Sequence, residues 1–170
     1  MDQSGIDFGL IPLRDYYCFN LKANGVMPLP IAPWKSNCPP PFDSYVLLGL
    51  PDEELDPHER MGARGPQVGY LMNLILVGVH ALECPPADRV ASLIPRFAGV
   101  LLDGRQLDSV KGMSGGPILG ISKVEGTWHC SCVAVQGSWD EGRRLIYGTP
   151  VSIIVDRITE LLMSEEKSAE

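Results

Sequence analysis

Eighteen glycines and fifteen prolines are spread so widely through these 170 residues that few stretches remain in which a helix can run. In a helix interior glycine costs about 1 kcal/mol and proline about 3 kcal/mol. A helical bundle is therefore excluded, and a domain of short strands joined by many turns is expected. With 45% hydrophobic side chains, the chain is long enough to bury roughly two-thirds of its unfolded surface in one core. One domain is the expectation.

The apolar runs are short and end at turn residues. Strands are expected at Ile6 to Leu13, Tyr45 to Leu50, Leu71 to Val79, Phe97 to Leu102, Trp128 to Val135 and Leu145 to Gly148. Several short strands in succession suggest a barrel or a sandwich. Asp15 offers an N-cap for a short helix carrying Tyr16, Phe19 and Leu21, which Asn24-Gly25 would stop. Prolines from Pro28 to Pro41 leave only an extended connection, and the polar, charged segment from Asp52 to Gly69 reads as a surface excursion. The period changes once, at Val151 to Met163, where Ile154, Ile158, Leu161 and Leu162 recur at helical spacing behind Pro150. Ser164 to Glu170 has no apolar anchor and is expected to be a frayed tail.

Fourteen basic against twenty-one acidic residues give a formal charge of −7, which repels a phosphate backbone, so no nucleic acid partner is expected. The longest apolar stretch is far short of a membrane span, and no basic, then apolar, leader opens the sequence. Five cysteines leave one unpaired in any scheme. Cys130 and Cys132 are too close on one strand to bridge easily, so reduced, buried thiols are expected. Those two cysteines cluster with His129, but no second ligand pair follows for zinc. No metal and no cofactor are expected, and the thiols and missing leader favour a cytoplasmic location.

Gly112-Met113-Ser114-Gly115-Gly116-Pro117 is the segment that carries chemistry. A nucleophilic serine needs a sharp turn that exposes Oγ and aims backbone N–H groups at a developing oxyanion, and glycine permits both. The looser pattern also fits the nucleophile elbow between a strand and a helix, but Pro117-Ile118-Leu119-Gly120 cannot start a helix. At average glycine and proline usage the motif arises by chance in roughly one chain in a thousand of this size. A plain glycine turn between two strands is the alternative.

Residues Leu107 to Pro117 resemble the nucleophile segment of the trypsin and chymotrypsin superfamily. Trp128 to Ser138 resembles that family's pocket-lining strand, and Ile146-Tyr147-Gly148-Thr149-Pro150-Val151 resembles its last strand leading into the terminal helix. Asp7 to Leu13 resembles the segment after the triad aspartate. The resemblance, over about half the chain, implies an all-β fold: the second, carboxy-terminal six-stranded Greek-key barrel of a chymotrypsin-like fold, with a terminal helix and a short helix near the amino terminus. It divides the chain into 1–41, the end of a first barrel and its connection; 42–163, the barrel and helix; and 164–170, a disordered tail.

What the resemblance further implies is a serine endopeptidase. Ser114 would be the nucleophile, Asp7 the histidine-orienting carboxylate, and the N–H groups of Gly112 and Ser114 the oxyanion hole. Asp15 is the rival carboxylate, and a turn-capping role is the plain reading of Asp7. Gln136, Gly137 and Ser138 would line the substrate site. Asp108, six positions before Ser114, would favour Arg or Lys at P1. Ile146 stands where an open pocket needs glycine, Val110 replaces a pocket cysteine, and Met113 replaces the aspartate of the zymogen switch.

The family order is His, Asp, Ser, yet His58, His80 and His129 all follow Asp7. None occupies the position of the base, and each reads as surface or core histidine, with a shifted geometry through His80 as the exception. Loss of a triad histidine costs on the order of a millionfold in turnover. The expectation is an incomplete peptidase module, truncated and feeble alone, whose upstream barrel is supplied in cis or in trans. The alternative is a non-catalytic peptide- or protein-binding module. Expected partners are a peptide or protein substrate, the missing barrel, or a second copy of the chain, because a lone barrel exposes the face that meets the first.

Overall fold

The computed structural model describes residues 13–32, 34, 39–52, 55–62, 65–72, 74–83, 96–102, 107 and 109–168. The expected strand at Ile6 to Leu13 lies outside them except for Leu13. Helix α1 (Asp15–Ala23) is followed by β1 (Ser44–Gly49), β2 (Leu55–Gly62), β3 (Gly65–Met72), β4 (Ile75–Ala81) and β5 (Phe97–Leu101). Then come β6 (Pro117–Val124), β7 (Thr127–Asp140), β8 (Leu145–Pro150) and α2 (Val151–Ser168).

Six strands close an antiparallel barrel in the order β1-β4-β5-β8-β7-β6, with β6 returning to β1. Strand alternation places one set of side chains inside. Tyr45 and Leu47 of β1 and Ile75, Val77 and Val79 of β4 point inward, while Leu76 and His80 face out. Phe97, Ile118, Val133 and Ile146 complete the interior, each with no exposed surface. Each such side chain contributes about 1.5–3 kcal/mol by leaving water. The barrel is therefore held together from within.

Several boundaries differ from expectation for identifiable reasons. The run from Leu71 to Val79 is divided, because Leu71 and Met72 end β3 and β4 begins at Ile75. The polar segment after Asp52 holds a hairpin of its own, β2 paired with β3 from Leu55↔Met72 to Gly62↔Gly65, separate from the barrel sheet. Asp15 does not cap α1: Arg14 stands at the N-cap without a side-chain bond, and Asp15 occupies the first turn, where its charge complements the helix dipole. At the other end the Val26 N–H reaches Leu21 O and the Gly25 N–H reaches Lys22 O, with Gly25 at φ +73°. That is a Schellman stop. Helix α2 runs on through Ser164 to Ser168, residues expected to fray.

Helix α1 buries no residue. Tyr16 and Phe19 are 70% exposed and Met27 75%, and Tyr16 meets its neighbour Tyr17 edge-on at 5.6 Å. The extended chain behind them touches the barrel at Ile31, which bridges Cys132; Ala32 N–H and Cys132 N–H donate to Cys132 O and Pro30 O respectively. This contact covers the edge of β7 where β8 no longer pairs with it. Cys18, Cys130 and Cys132 are free thiols and half-buried rather than buried. No helix among the described residues is long and apolar enough to cross a membrane.

Candidate active site

Ser114 lies between β5 and β6 at one end of the barrel, on a loop anchored from below. Leu107, Val110 and Met113 are buried in the core, and Met113, 1% exposed, fits against Gly49, where a Cβ would meet its side chain at 2.9 Å. Ser114 and the flanking Gly112 and Gly115 are exposed. Met113 thus serves as an apolar plug that holds the loop down.

The glycine spacing follows from two successive turns that share Met113. Met113 N–H donates to Val110 O at 3.0 Å, and Gly116 N–H donates to Met113 O at 2.9 Å. Gly112 and Gly115 each occupy the third position of their turn, with φ of +89° and +86°. Positive φ there, after a residue of negative φ, defines a type II turn and favours glycine strongly. Gly116 is required for a different reason, since a Cβ would press on the carbonyl oxygens of Leu48 and Met113. Each glycine of the motif therefore has its own structural cause.

These turns leave particular groups unused. Met113, Gly115 and Gly116 N–H all donate within the structure, whereas Gly112 and Ser114 N–H donate to no other described residue. The carbonyl of Lys111 accepts a 2.8 Å bond from Asp52 N–H. Because C=O and N–H are antiparallel across a trans peptide, the Gly112 N–H points away from Asp52. Among the described residues two donors without an acceptor thus lie beside an exposed hydroxyl, the kind of group from which an oxyanion site is built.

Gln136, Gly137 and Ser138 are brought to this loop through β7. Gly115 N–H donates to Gln136 O at 2.8 Å and Gln136 N–H to Gly116 O at 2.9 Å. Gln136 pairs with Gly148 and Ser138 with Tyr147, so Gly137 is the extra residue of a bulge, a device that re-aims a strand beside a site. Gly137 is exposed and a Cβ there would meet nothing within 4 Å, whereas Gln136 is buried and its Oε1 meets no donor among the described residues. Ile146 lies fully inside the core. Asp7 and Asp108 lie outside the described residues.

His80 and His129 are remote from Ser114 along their strands. His129 is on β7, seven residues before Gln136, about 23 Å at the strand rise of about 3.3 Å per residue. His80 is exposed on β4, five residues past Ile75. Ile75 pairs with Gly49 at the serine end of the barrel, so His80 stands about 17 Å along its strand toward the other end. The shifted geometry through His80 is thereby removed. His58 pairs with Gly69 in the separate hairpin.

Asp52 is the one contributor that the sequence did not indicate. Its link to Lys111 is a main-chain bond between residues far apart in the chain, and any residue except proline carries that N–H. Comparison of the chain with protein-family models, with curated proteins and with solved structures returns no match.

Proposed function

We propose that this chain is the carboxy-terminal barrel of a trypsin-like serine endopeptidase, with Ser114 as the acyl-accepting nucleophile. The observation that carries the reading is the double turn around Met113, which presents Ser114 at the surface beside N–H groups of Gly112 and Ser114 that have no acceptor among the described residues. The barrel supports it. Six strands close in the order β1-β4-β5-β8-β7-β6, with Ser114 between β5 and β6, and α2 follows the last strand, as the resemblance implies for a terminal helix.

In this reading Ser114 Oγ attacks the scissile carbonyl and its oxygen is received by Gly112 and Ser114 N–H. The proton of Ser114 needs an acceptor. With His80 and His129 remote, an imidazole from an upstream barrel, in cis or in trans, takes it, and Asp7 orients that imidazole. Gln136, Gly137 and Ser138 align the peptide, and Asp108 favours Arg or Lys at P1. The exposed apolar residues of α1 and of the segment from Val26 to Ile31 are the face that meets the missing barrel.

A fluorophosphonate probe tests the reading. Labelling of the full chain is expected to be slow, to rise with added imidazole as a substitute base, and to vanish in Ser114→Ala. The distance of His80 and His129 from Ser114 favours one rival, a non-catalytic peptide-binding module of the same fold. Absence of labelling at every imidazole concentration, with peptide binding intact, would establish that rival instead.

A further inference from the structure

We infer that the main-chain N–H of Asp52 is the positioning group that holds the Lys111–Gly112 peptide open for oxyanion binding. The inference rests on the function proposed for Ser114. Type II and type I turns differ by a flip of the central peptide, and in the turn from Val110 to Met113 that peptide is Lys111–Gly112. As observed, its carbonyl is held by Asp52 N–H at 2.8 Å, which directs Gly112 N–H to the opposite side. After a flip, Gly112 N–H would face Asp52 N–H, donor against donor, and Lys111 O would occupy the place where the oxyanion is received. One bond thus both favours the open setting and penalises the closed one.

The surroundings reinforce the lock. A Cβ on Gly112 would overlap the Asp52 carboxylate and approach the Asp52 nitrogen to 2.9 Å, so residue 112 packs closely on its latch. Asp52 also follows Pro51, buried at the end of β1, and precedes the β2–β3 hairpin. The structure gives Asp52 a role through its backbone, and its side chain is replaceable by asparagine.

The test uses the full chain and amide NMR, with acetyl-Gly-Ala-Arg bearing a free carboxylate as the probe and the same peptide amide as control. A carboxylate oxygen occupies the oxyanion position without any chemistry, so the absent imidazole does not matter. In the native chain Gly112 and Ser114 amides are expected to shift saturably with the acid and not with the amide. A scalar coupling across the hydrogen bond should join Asp52 nitrogen to the Lys111 carbonyl carbon.

Asp52 itself has 3-10 backbone geometry, which tolerates the fixed φ of proline. Asp52→Pro, which removes the donor, should weaken the response about tenfold, the loss of roughly one hydrogen bond, with amides of Leu47, Val77 and Ile118 unmoved. Asp52→Asn, which keeps the donor, should titrate as the native chain does. A folded Asp52→Pro chain that responds like the native one overturns the positioning role and leaves the oxyanion reading standing. A native chain whose Gly112 and Ser114 amides ignore the acid removes the oxyanion reading and this inference together. If Asp52→Pro does not fold, the coupling decides: its absence from the native chain overturns the lock, and its presence beside a native response supports it.

Discussion

Gly115 and Gln136 are joined by a 2.8 Å hydrogen bond from the N–H of one to the carbonyl of the other, and Gln136 N–H returns a 2.9 Å bond to Gly116. The pair fastens the exposed serine turn to the bulged end of β7. Ser114, the proposed nucleophile, and the proposed substrate strand are thereby set by one short ladder, so a change in either turn glycine is felt at both.

Gly112 and Gly115 separate the two costs of adding a methyl group. Both have positive φ, which costs an L-residue roughly 1–2 kcal/mol. Gly115 has open space around it, while a Cβ on Gly112 overlaps the Asp52 carboxylate, adding about 1–3 kcal/mol of overpacking. Urea unfolding should therefore show Gly112→Ala clearly less stable than Gly115→Ala, at unchanged m-value. Equal losses would mean that the contact with Asp52 relaxes freely.

Met113 and Ser114 are neighbours with opposite roles. Met113 is 1% exposed within the core, and Met113→Ala should cost about 2–5 kcal/mol. Ser114 is exposed, so Ser114→Ala should stay within about 0.5 kcal/mol of the native chain while abolishing fluorophosphonate labelling. Thermal unfolding of the two variants checks the contrast. A large loss in Ser114→Ala would show that the hydroxyl is a structural group.

How much of this was legible depends on which forces leave a mark in the sequence. Short apolar runs bounded by turn residues marked β1, β4, β5 and β8 because their buried side chains fill the barrel. The hairpin of β2 and β3 was missed because Leu55-Asp56-Pro57-His58-Glu59-Arg60 has no apolar alternation to read. Strand β7 was expected to stop at Val135 because the bulge at Gly137 breaks the alternation, yet the pairing resumes through Asp140. At the site, the glycines were legible because type II turns need them at fixed places. The Asp52 latch was not, since a backbone N–H leaves no trace in residue identity.

Gln136 gives a prediction in which stability and function oppose each other. Its Oε1 is buried without a donor among the described residues, and an unsatisfied buried polar group costs about 1–3 kcal/mol. Gln136→Leu, with similar volume and no such oxygen, should raise the melting temperature by about 2–4 °C per kcal/mol recovered. If Gln136 helps to hold a substrate, the same change should weaken peptide binding. A fall in melting temperature would show that the amide is satisfied in solution, for example by water.

Tyr45 and Cys132 are expected to weaken the fold at alkaline pH. Burial raises the Tyr45 phenol above its ordinary value of 10.0, against a smaller lowering by a backbone bond at Phe42. Burial, with Cys130 nearby, raises the Cys132 thiol above 9.0. For both groups the neutral form is favoured in the folded chain and the anion in the unfolded one. Their contribution is complete below the unfolded values and is lost as pH rises through the folded ones. Unfolding free energy from urea titrations should thus be level as pH approaches 9 from below, as far as these two groups decide it, and fall above that. Tyr45 also stacks edge-on with Phe42 at 5.8 Å, leans on Phe97 at 5.6 Å and donates its hydroxyl proton to Pro40 O. Tyr45→Phe keeps both ring contacts and loses that bond. It should be less stable at neutral pH, while its stability declines less steeply above pH 10. A decline as steep as the native one would assign the alkaline transition to other groups.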